Sequence, residues 1–257
     1  MSLNLLRTGL KRNRSSFSIR NDFNKTWVCR GSDVNTINHC LQQRNAVKLP
    51  HVMFLGETNA GKSSLINSLL KKKQLAKSSS RAAKTQSVDL YGVNERFILV
   101  DTPGFSFAKG KLSRLWEKEF FPLIQRYVEN CGQNKLRLLV IVQDVNQQVK
   151  EEDYVLLGKL RQWDLPTLLV LTKDDKLFSH RQRILRTNNI KTAMDFDGSH
   201  IHYTINANNP KGRRARRALA RFIDDVVNAS DIAACHQLLD KKMPEQKAPR
   251  ILLDDNE

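Results

Sequence analysis

The sequence predicts an α/β domain of three layers, with helices on both faces of a mostly parallel six-stranded sheet. Two observations predict it. From Leu49 onward, short apolar runs alternate with amphipathic stretches, the pattern of successive βα units. One strand-to-helix junction then reads Gly56-Glu-Thr-Asn-Ala-Gly61-Lys62-Ser63, which fits G-x-x-x-x-G-K-S/T, a phosphate-binding P-loop.

The elements follow in chain order. Residues 1–21 hold no Asp or Glu, but carry Arg7, Lys11, Arg12, Arg14 and Arg20, with Ser15, Ser16 and Ser18, and Leu3, Leu6 and Leu10 at helical spacing. An arginine-rich, serine-rich, acid-poor leader has the composition of an organellar transit peptide. A basic arm that binds RNA is the competing reading. Residues 22–49 read as an N-terminal extension, with a helix over Val34–Arg44 capped by Asp33. Strands are expected over Val52–Leu55, Val88–Val93, Phe97–Val100, Leu136–Val142, Thr167–Leu171 and His200–Ile205. Helices are expected over Lys62–Leu70, Lys111–Asn130, Glu151–Trp163, Ser179–Asn188 and Lys211–Val227. Val52–Leu55 has the length of a buried parallel strand. Leu65, Ile66 and Leu69 share one helical face behind the glycines. The nucleotide-binding domain thus spans 50–228, and 229–257 reads as a polar C-terminal tail.

Net charge is +17, of which residues 1–49 carry +7, residues 229–257 carry −2 and the middle carries +12. A polyanionic partner suits that balance; a merely soluble cationic surface is the bland alternative. Cys29, Cys40, Cys131 and Cys235 are widely separated and form no C-x-x-C pair. Neither a zinc site nor a disulfide framework is expected from them, and a reducing compartment fits. No run reaches the apolar length of a membrane span, so stable membrane insertion is not expected.

The chemistry resides in four signals in one order. Glycines let the P-loop backbone wrap a phosphate, and N–H groups of the loop and the following helix then face the anion. Lys62 reaches the terminal phosphates and the Ser63 hydroxyl ligates Mg²⁺. Asp101-Thr-Pro-Gly104 ends the strand Phe97–Val100, where a carboxylate holds the Mg²⁺ hydration shell and the Gly104 N–H faces a γ-phosphate. Thr85 lies between them in the polar stretch Ser78–Gln86; its hydroxyl completes the Mg²⁺ shell only when γ-phosphate is present. Thr172-Lys173-Asp174-Asp175 follows another apolar strand and matches N/T-K-x-D, a guanine-reading motif. Asp175 can accept from guanine N1–H and N2–H₂, the Lys173 stem covers the base, and adenine would leave the carboxylate unpaired. GTP is the expected ligand.

With these residues in hand, the chain resembles the EngB/YihA family of ribosome-assembly GTPases over residues 50–228. The resemblance is carried by Asn59-Ala-Gly-Lys-Ser-Ser-Leu-Ile-Asn67, by Leu75-Ala76 and Lys84-Thr85-Gln86, by Asp101-Thr-Pro-Gly-Phe-Ser-Phe-Ala108 with Trp116 beyond, and by Thr172-Lys-Asp-Asp-Lys176. It implies a P-loop GTPase domain hydrolysing GTP to GDP, with Lys62, Thr85 and Gly104 at the reaction centre. Gly56, Asn59, Ala60, Gly61, Lys62, Ser63, Ser64, Asp101 and Gly104 would surround the phosphates, and Thr172, Lys173 and Asp175 the guanine. The last guanine-binding run is degenerate and falls at Asn206-Ala207. Asn59 matches a P-loop asparagine that ligates an activating K⁺ in related GTPases. Two departures stand out. Ala82-Ala83 replaces the usual Pro-Gly, and Phe105 stands where many GTPases carry a water-positioning Gln. A phenyl ring cannot orient water, so intrinsic hydrolysis should be slow.

Joined to the leader, the resemblance implies a monomeric member in the mitochondrial matrix that acts on the large ribosomal subunit and its rRNA. A GTPase of tRNA or RNA processing and a membrane-remodelling GTPase are the alternatives. The first usually carries an extra catalytic domain and the second long lipid-binding segments, and neither is evident. An ATP-dependent kinase conflicts with Asp175. Arg213, Arg214, Arg216, Arg217 and Arg221 on the last helix, with Lys71-Lys72-Lys73, suit rRNA phosphates or a solvated face. His200 and His202 share a strand face without an evident third metal ligand.

Overall fold

The computed structural model describes residues 26–72, 75–76, 87–105, 116–131, 135–197, 200–202 and 210–242. Their strands are β1 (Thr26–Gly31), β2 (His51–Leu55), β3 (Val88–Val93), β4 (Phe97–Asp101), β5 (Leu136–Asp144), β6 (Thr167–Thr172) and β7 (His200–His202). They form one sheet in the order β1-β3-β4-β2-β5-β6-β7. β2 is parallel to β4 and β5, and β6 to β5 and β7, whereas β3 runs antiparallel to both its neighbours, β1 and β4. Six strands are those the apolar runs predict. The seventh, β1, comes from the segment read as an extension. It is a half-buried edge strand, so it lacks the continuous apolar signal of β2 or β5.

The helices are α1 (Val34–Gln42), α2 (Lys62–Leu70), α3 (Phe121–Asn130), α4 (Glu151–Arg161), α5 (His180–Ala193), α6 (Pro210–Val227) and α7 (Ile232–Lys242). Asp33 caps α1 as expected: its side chain accepts from Thr36 N at 2.9 Å, and Thr36 Oγ1 accepts from Asp33 N at 3.0 Å. The helix expected from Lys111 enters the described residues as a π-turn over Trp116–Phe120 and continues as α3. α7 lies in the segment read as tail, with Cys235 and Leu239 buried against the sheet's α6 side. The folded unit therefore extends past 50–228 in both directions.

Strand alternation divides the core in two. Met53, Leu55, Ile98, Val100, Leu139 and Ile141 face α1, α3 and α4. Val52, Phe54, Leu99, Leu138, Val140 and Val142 face α2, α6 and α7. His51 opens β2 fully buried, with Nε2 2.9 Å from Ala46 O and Nδ1 against the Tyr127 hydroxyl. A carbonyl can only accept, so Nε2 carries the proton and the neutral ring accepts from Tyr127. Burial pushes the His51 pKa down to about 4.

The cysteine spacing misleads. Cys29 on β1 and Cys40 on α1 form a disulfide, their Cα atoms 5.6 Å apart. α1 packs back on β1, and that tertiary contact is invisible to a count of sequence separations. Cys131 and Cys235 are buried thiols outside any disulfide. Among the described residues no helix is long and apolar enough to cross a membrane, and no group of three or more His, Cys, Asp or Glu side chains could hold a metal. The side chains of His200 and His202 lie outside the described set.

Candidate nucleotide-binding site

β2 is buried throughout and delivers the chain to Gly56 against β5. A Cβ at Gly56 would stand 2.2 Å from Val142 O, so only glycine lets the turn lie this close to the next strand. Asn59 (φ 66°) and Gly61 (φ 100°) take left-handed backbone conformations. Curling of this kind turns successive N–H groups toward one anion. α2 begins at Lys62 with no side-chain cap, so the positive end of the helix opens onto the loop.

Lys62 is buried, and its Nζ donates to Gly56 O at 2.8 Å and Glu57 O at 3.0 Å. Burial pushes its pKa down to about 8, against the pull of Asp101 and Glu57. Ser63 Oγ donates to Asp101 Oδ2 at 2.6 Å. Burial pushes Asp101 up to about 6, opposed by Lys62 and Ser63 and reinforced by Asp89. Asp101 Oδ1 is buried with no hydrogen-bond partner. An orphaned carboxylate oxygen beside a hydroxyl fits a hard divalent cation such as Mg²⁺.

The segment after Asp101 is docked on the P-loop. Thr102 Oγ1 donates to Phe54 O at 2.8 Å. Thr58 N donates to Phe105 O at 2.7 Å, and Thr58 Oγ1 lies 3.1 Å from both Gly104 O and Phe105 O. A Cβ at Gly104 would meet Thr58 Cα at 2.8 Å and Lys62 Nζ at 2.9 Å. Phe105 is buried, edge-on against Trp116 with ring centres 5.8 Å apart.

On the other flank, Thr172 Oγ1 donates to Ala60 O at 2.6 Å and lies 3.1 Å from Gln143 O, tying β6 to the P-loop. Lys173 (φ 58°) extends its Nζ to Asp144 Oδ2 at 2.7 Å. Asn146 Nδ2 donates to Asp144 Oδ1 at 3.0 Å and to Lys173 O at 3.2 Å. Burial pushes Asp144 up, but the bonds from Lys173 and Asn146 outweigh it and hold the carboxyl below its ordinary value. Asp174 accepts from Arg183 Nε of α5 at 2.6 Å, which leaves the neighbouring Asp175 exposed at the rim of the site.

A phosphate loop, a docked Asp-x-x-Gly segment and a Thr-Lys-x-Asp turn thus converge on one end of a parallel sheet. The family model described as "50S ribosome-binding GTPase" matches residues 51–173. A probable GTP-binding protein EngB of Oceanobacillus iheyensis is 30% identical over 177 residues, covering 68% of this chain and 88% of that protein. The chain belongs to the EngB family of GTPases. A second probable EngB, of Syntrophus aciditrophicus, is 40% identical over 129 residues, half of this chain and 64% of that protein. A crystal structure of a probable GTP-binding protein engB superposes with a TM-score of 0.50 at 21% identity, covering 69% of this chain and 98% of that one, which confirms the fold.

Guanine nucleotides are the ligands of an EngB GTPase, and the candidate residues meet around one loop. Gly56, Asn59, Ala60, Gly61, Lys62, Ser63 and Ser64 make up the loop and the first turn of α2; Asp101 touches it from the end of β4, Gly104 from the segment beyond, and Thr172 from the end of β6, with Lys173 next in the chain. Thr85, Asn206 and Ala207 lie outside the described residues. Sequence reading missed Asp144 and Asn146, which fix Lys173, and Glu57, whose Oε1 pairs with Lys150 Nζ at 2.6 Å. The available signal was position: Asp144 and Asn146 follow the longest apolar run at its carboxyl end, where α/β sheets place their ligands.

Proposed function

We propose that this EngB GTPase is a GTP-switched assembly factor for the large subunit of the mitochondrial ribosome. The observation that carries the reading is the docking of Gly104 and Phe105 on Thr58 and Lys62. A segment held this way can pass the state of the phosphates to the surface beyond Phe105. The family's description as ribosome-binding and the +17 charge support the partner, and the acid-free leader supports the compartment. The exposed Arg213, Arg214, Arg217 and Arg221 of α6 suit rRNA phosphates.

In this reading Lys62 and the uncapped start of α2 hold the phosphates, Lys173 covers the base and Asp175 selects guanine. Ser63, Asp101 and Thr85 would hold Mg²⁺, which when bound supplies positive charge to the phosphate oxygens. Asn59 would add K⁺ in the same role. Phe105 is locked in the core and orients no water, so the isolated chain turns over slowly and the ribosome completes the site. The protein acts as a monomer in the matrix.

Sedimentation of the tagged chain with large subunits tests this. Co-migration with a GTP analogue and release with GDP is the expected result. No binding to ribosomal particles in any nucleotide state refutes the assembly role.

A further inference from the structure

α5 follows the guanine motif, and two large apolar side chains stand exposed at its start. Phe178, immediately before its cap, is 95% exposed, and Leu185 is 58% exposed. Arg181 lies in the first turn of α5 and Leu185 in the second, while Phe178 precedes the cap Ser179, whose backbone is extended, so its ring stands at the N-terminal end of the helix. A hydrophobic residue at this position often packs onto an apolar fourth residue of the helix. Here that residue is Arg183, and its guanidinium is turned away to Asp174 at 2.6 Å. The backbone under Phe178 is nevertheless fixed. Its N–H donates to Gln182 Oε1 at 3.1 Å, and Gln182 N donates to Ser179 Oγ at 3.1 Å. A rigid backbone therefore presents a bare aromatic ring to solvent.

The charge around it has one sign. Residues 176–194 contain five Lys or Arg and no Asp or Glu. Arg181 and Arg186 are exposed. On the adjacent stripe, Arg186 and Asn189 line a cavity of about 230 Å³ shared with Gln147. Amide and guanidinium groups of this kind read the edges of unpaired bases.

We infer that this side of α5 docks single-stranded RNA. A base stacks on Phe178, phosphates meet Arg181 and Arg186, and a second base edge enters the Gln147–Asn189 cavity. A duplex buries its base faces and offers a lone protruding ring nothing to stack on, so the strand must be unpaired. A protein partner could also use an exposed Phe and Arg, but an acid-free run of this length complements a polyanion. Arg183 joins the surface to the guanine turn through Asp174, so RNA seated on α5 bears on the motif that holds the nucleotide. The inference rests on the ribosome-directed reading only for the source of the RNA.

The test uses the full chain with a GTP analogue and fluorescence anisotropy of a labelled uridine oligonucleotide. Phe178→Ala should weaken binding about tenfold, the loss typical of one stacked base. Phe178→Trp should retain it. Arg181→Glu with Arg186→Glu should weaken binding further and flatten its salt dependence. GTP affinity should stay within about twofold for Phe178→Ala, since that ring touches no nucleotide-binding residue. Native-like oligonucleotide binding by all three variants, or tighter binding of duplex than of single strand, overturns the inference. So does loss of large-subunit binding in Phe178→Ala when the native chain does not bind the oligonucleotide, which would assign the face to a protein. Phe178-dependent oligonucleotide binding by a chain that never binds subunits would uphold the inference and remove the ribosomal reading alone.

Discussion

Gly104→Ala tests whether the segment after Asp101 senses the phosphates. The new methyl carbon would lie 2.8 Å from Thr58 Cα and 2.9 Å from Thr58 Oγ1 and Lys62 Nζ. Ordinary carbon contacts begin near about 3.4–3.5 Å, so something must retreat by about 0.6 Å. Lys62 is flexible enough to yield, but Thr58 Cα is backbone, so the docked segment gives way. A retreat of that size takes the Thr58 hydroxyl, now 3.1 Å from Gly104 O and Phe105 O, beyond hydrogen-bonding range. Strain or the broken bond costs the docked arrangement about 2 kcal/mol, close to thirtyfold in its population. The assay is titration with fluorescent nucleotides. Affinity for a GTP analogue should fall about thirtyfold while GDP, which lacks the γ-phosphate, is nearly unaffected. Thr58→Val removes the hydroxyl without adding bulk and should show the same selectivity at about fivefold. Equal weakening of both nucleotides, or of neither, refutes the idea that this docking reports the γ-phosphate.

Other expectations follow from single residues. Turnover should be faster in KCl than in NaCl at matched ionic strength, with Asn59→Ala abolishing the difference; equal native rates in the two salts exclude K⁺. The folded His51 pKa of about 4 lies below the ordinary 6.5, so between those values only the unfolded chain gains the proton. That contribution is complete above pH 6.5 and drains as pH falls toward 4, about 3 kcal/mol in all. Urea midpoints measured across this window should show the slope in the native chain and a flatter one in His51→Gln. Residues 1–21, fused to a fluorescent reporter, should carry it into mitochondria; a diffuse cytosolic signal would favour a basic RNA-binding arm.

What could be read from the sequence was chemistry written in contiguous residues. Gly56 to Ser63 and Thr172 to Asp175 each sit in one turn, and the apolar runs beside them locate the strands that carry them. Asp101 was legible because it ends such a run. What escaped depends on contacts between distant segments. β1 is half-buried and signals little until β3 lies beside it. The Cys29–Cys40 bond exists only because α1 folds back on that strand. α7 looked like a polar tail because, among its described side chains, only Cys235 and Leu239 are buried. Asp144 could not be matched to Lys173 because they are 29 positions apart and meet across two parallel strands. The exposure of Phe178 was legible only in part: Arg183 offers it no apolar partner in the helix, but that the ring stays 95% exposed depends on the tertiary fold.

The central claim is that a guanine nucleotide in this pocket governs attachment to the large subunit. Asp175→Asn tests it most directly, because the amide reverses donor and acceptor at the base edge. GTP should lose about 2–4 kcal/mol, and xanthosine triphosphate should become the preferred ligand. Sedimentation with large subunits should then show the variant binding with a xanthine-based triphosphate analogue and not with the GTP analogue that serves the native chain. Binding of Asp175→Asn that is indifferent to which nucleotide is supplied would contradict the account.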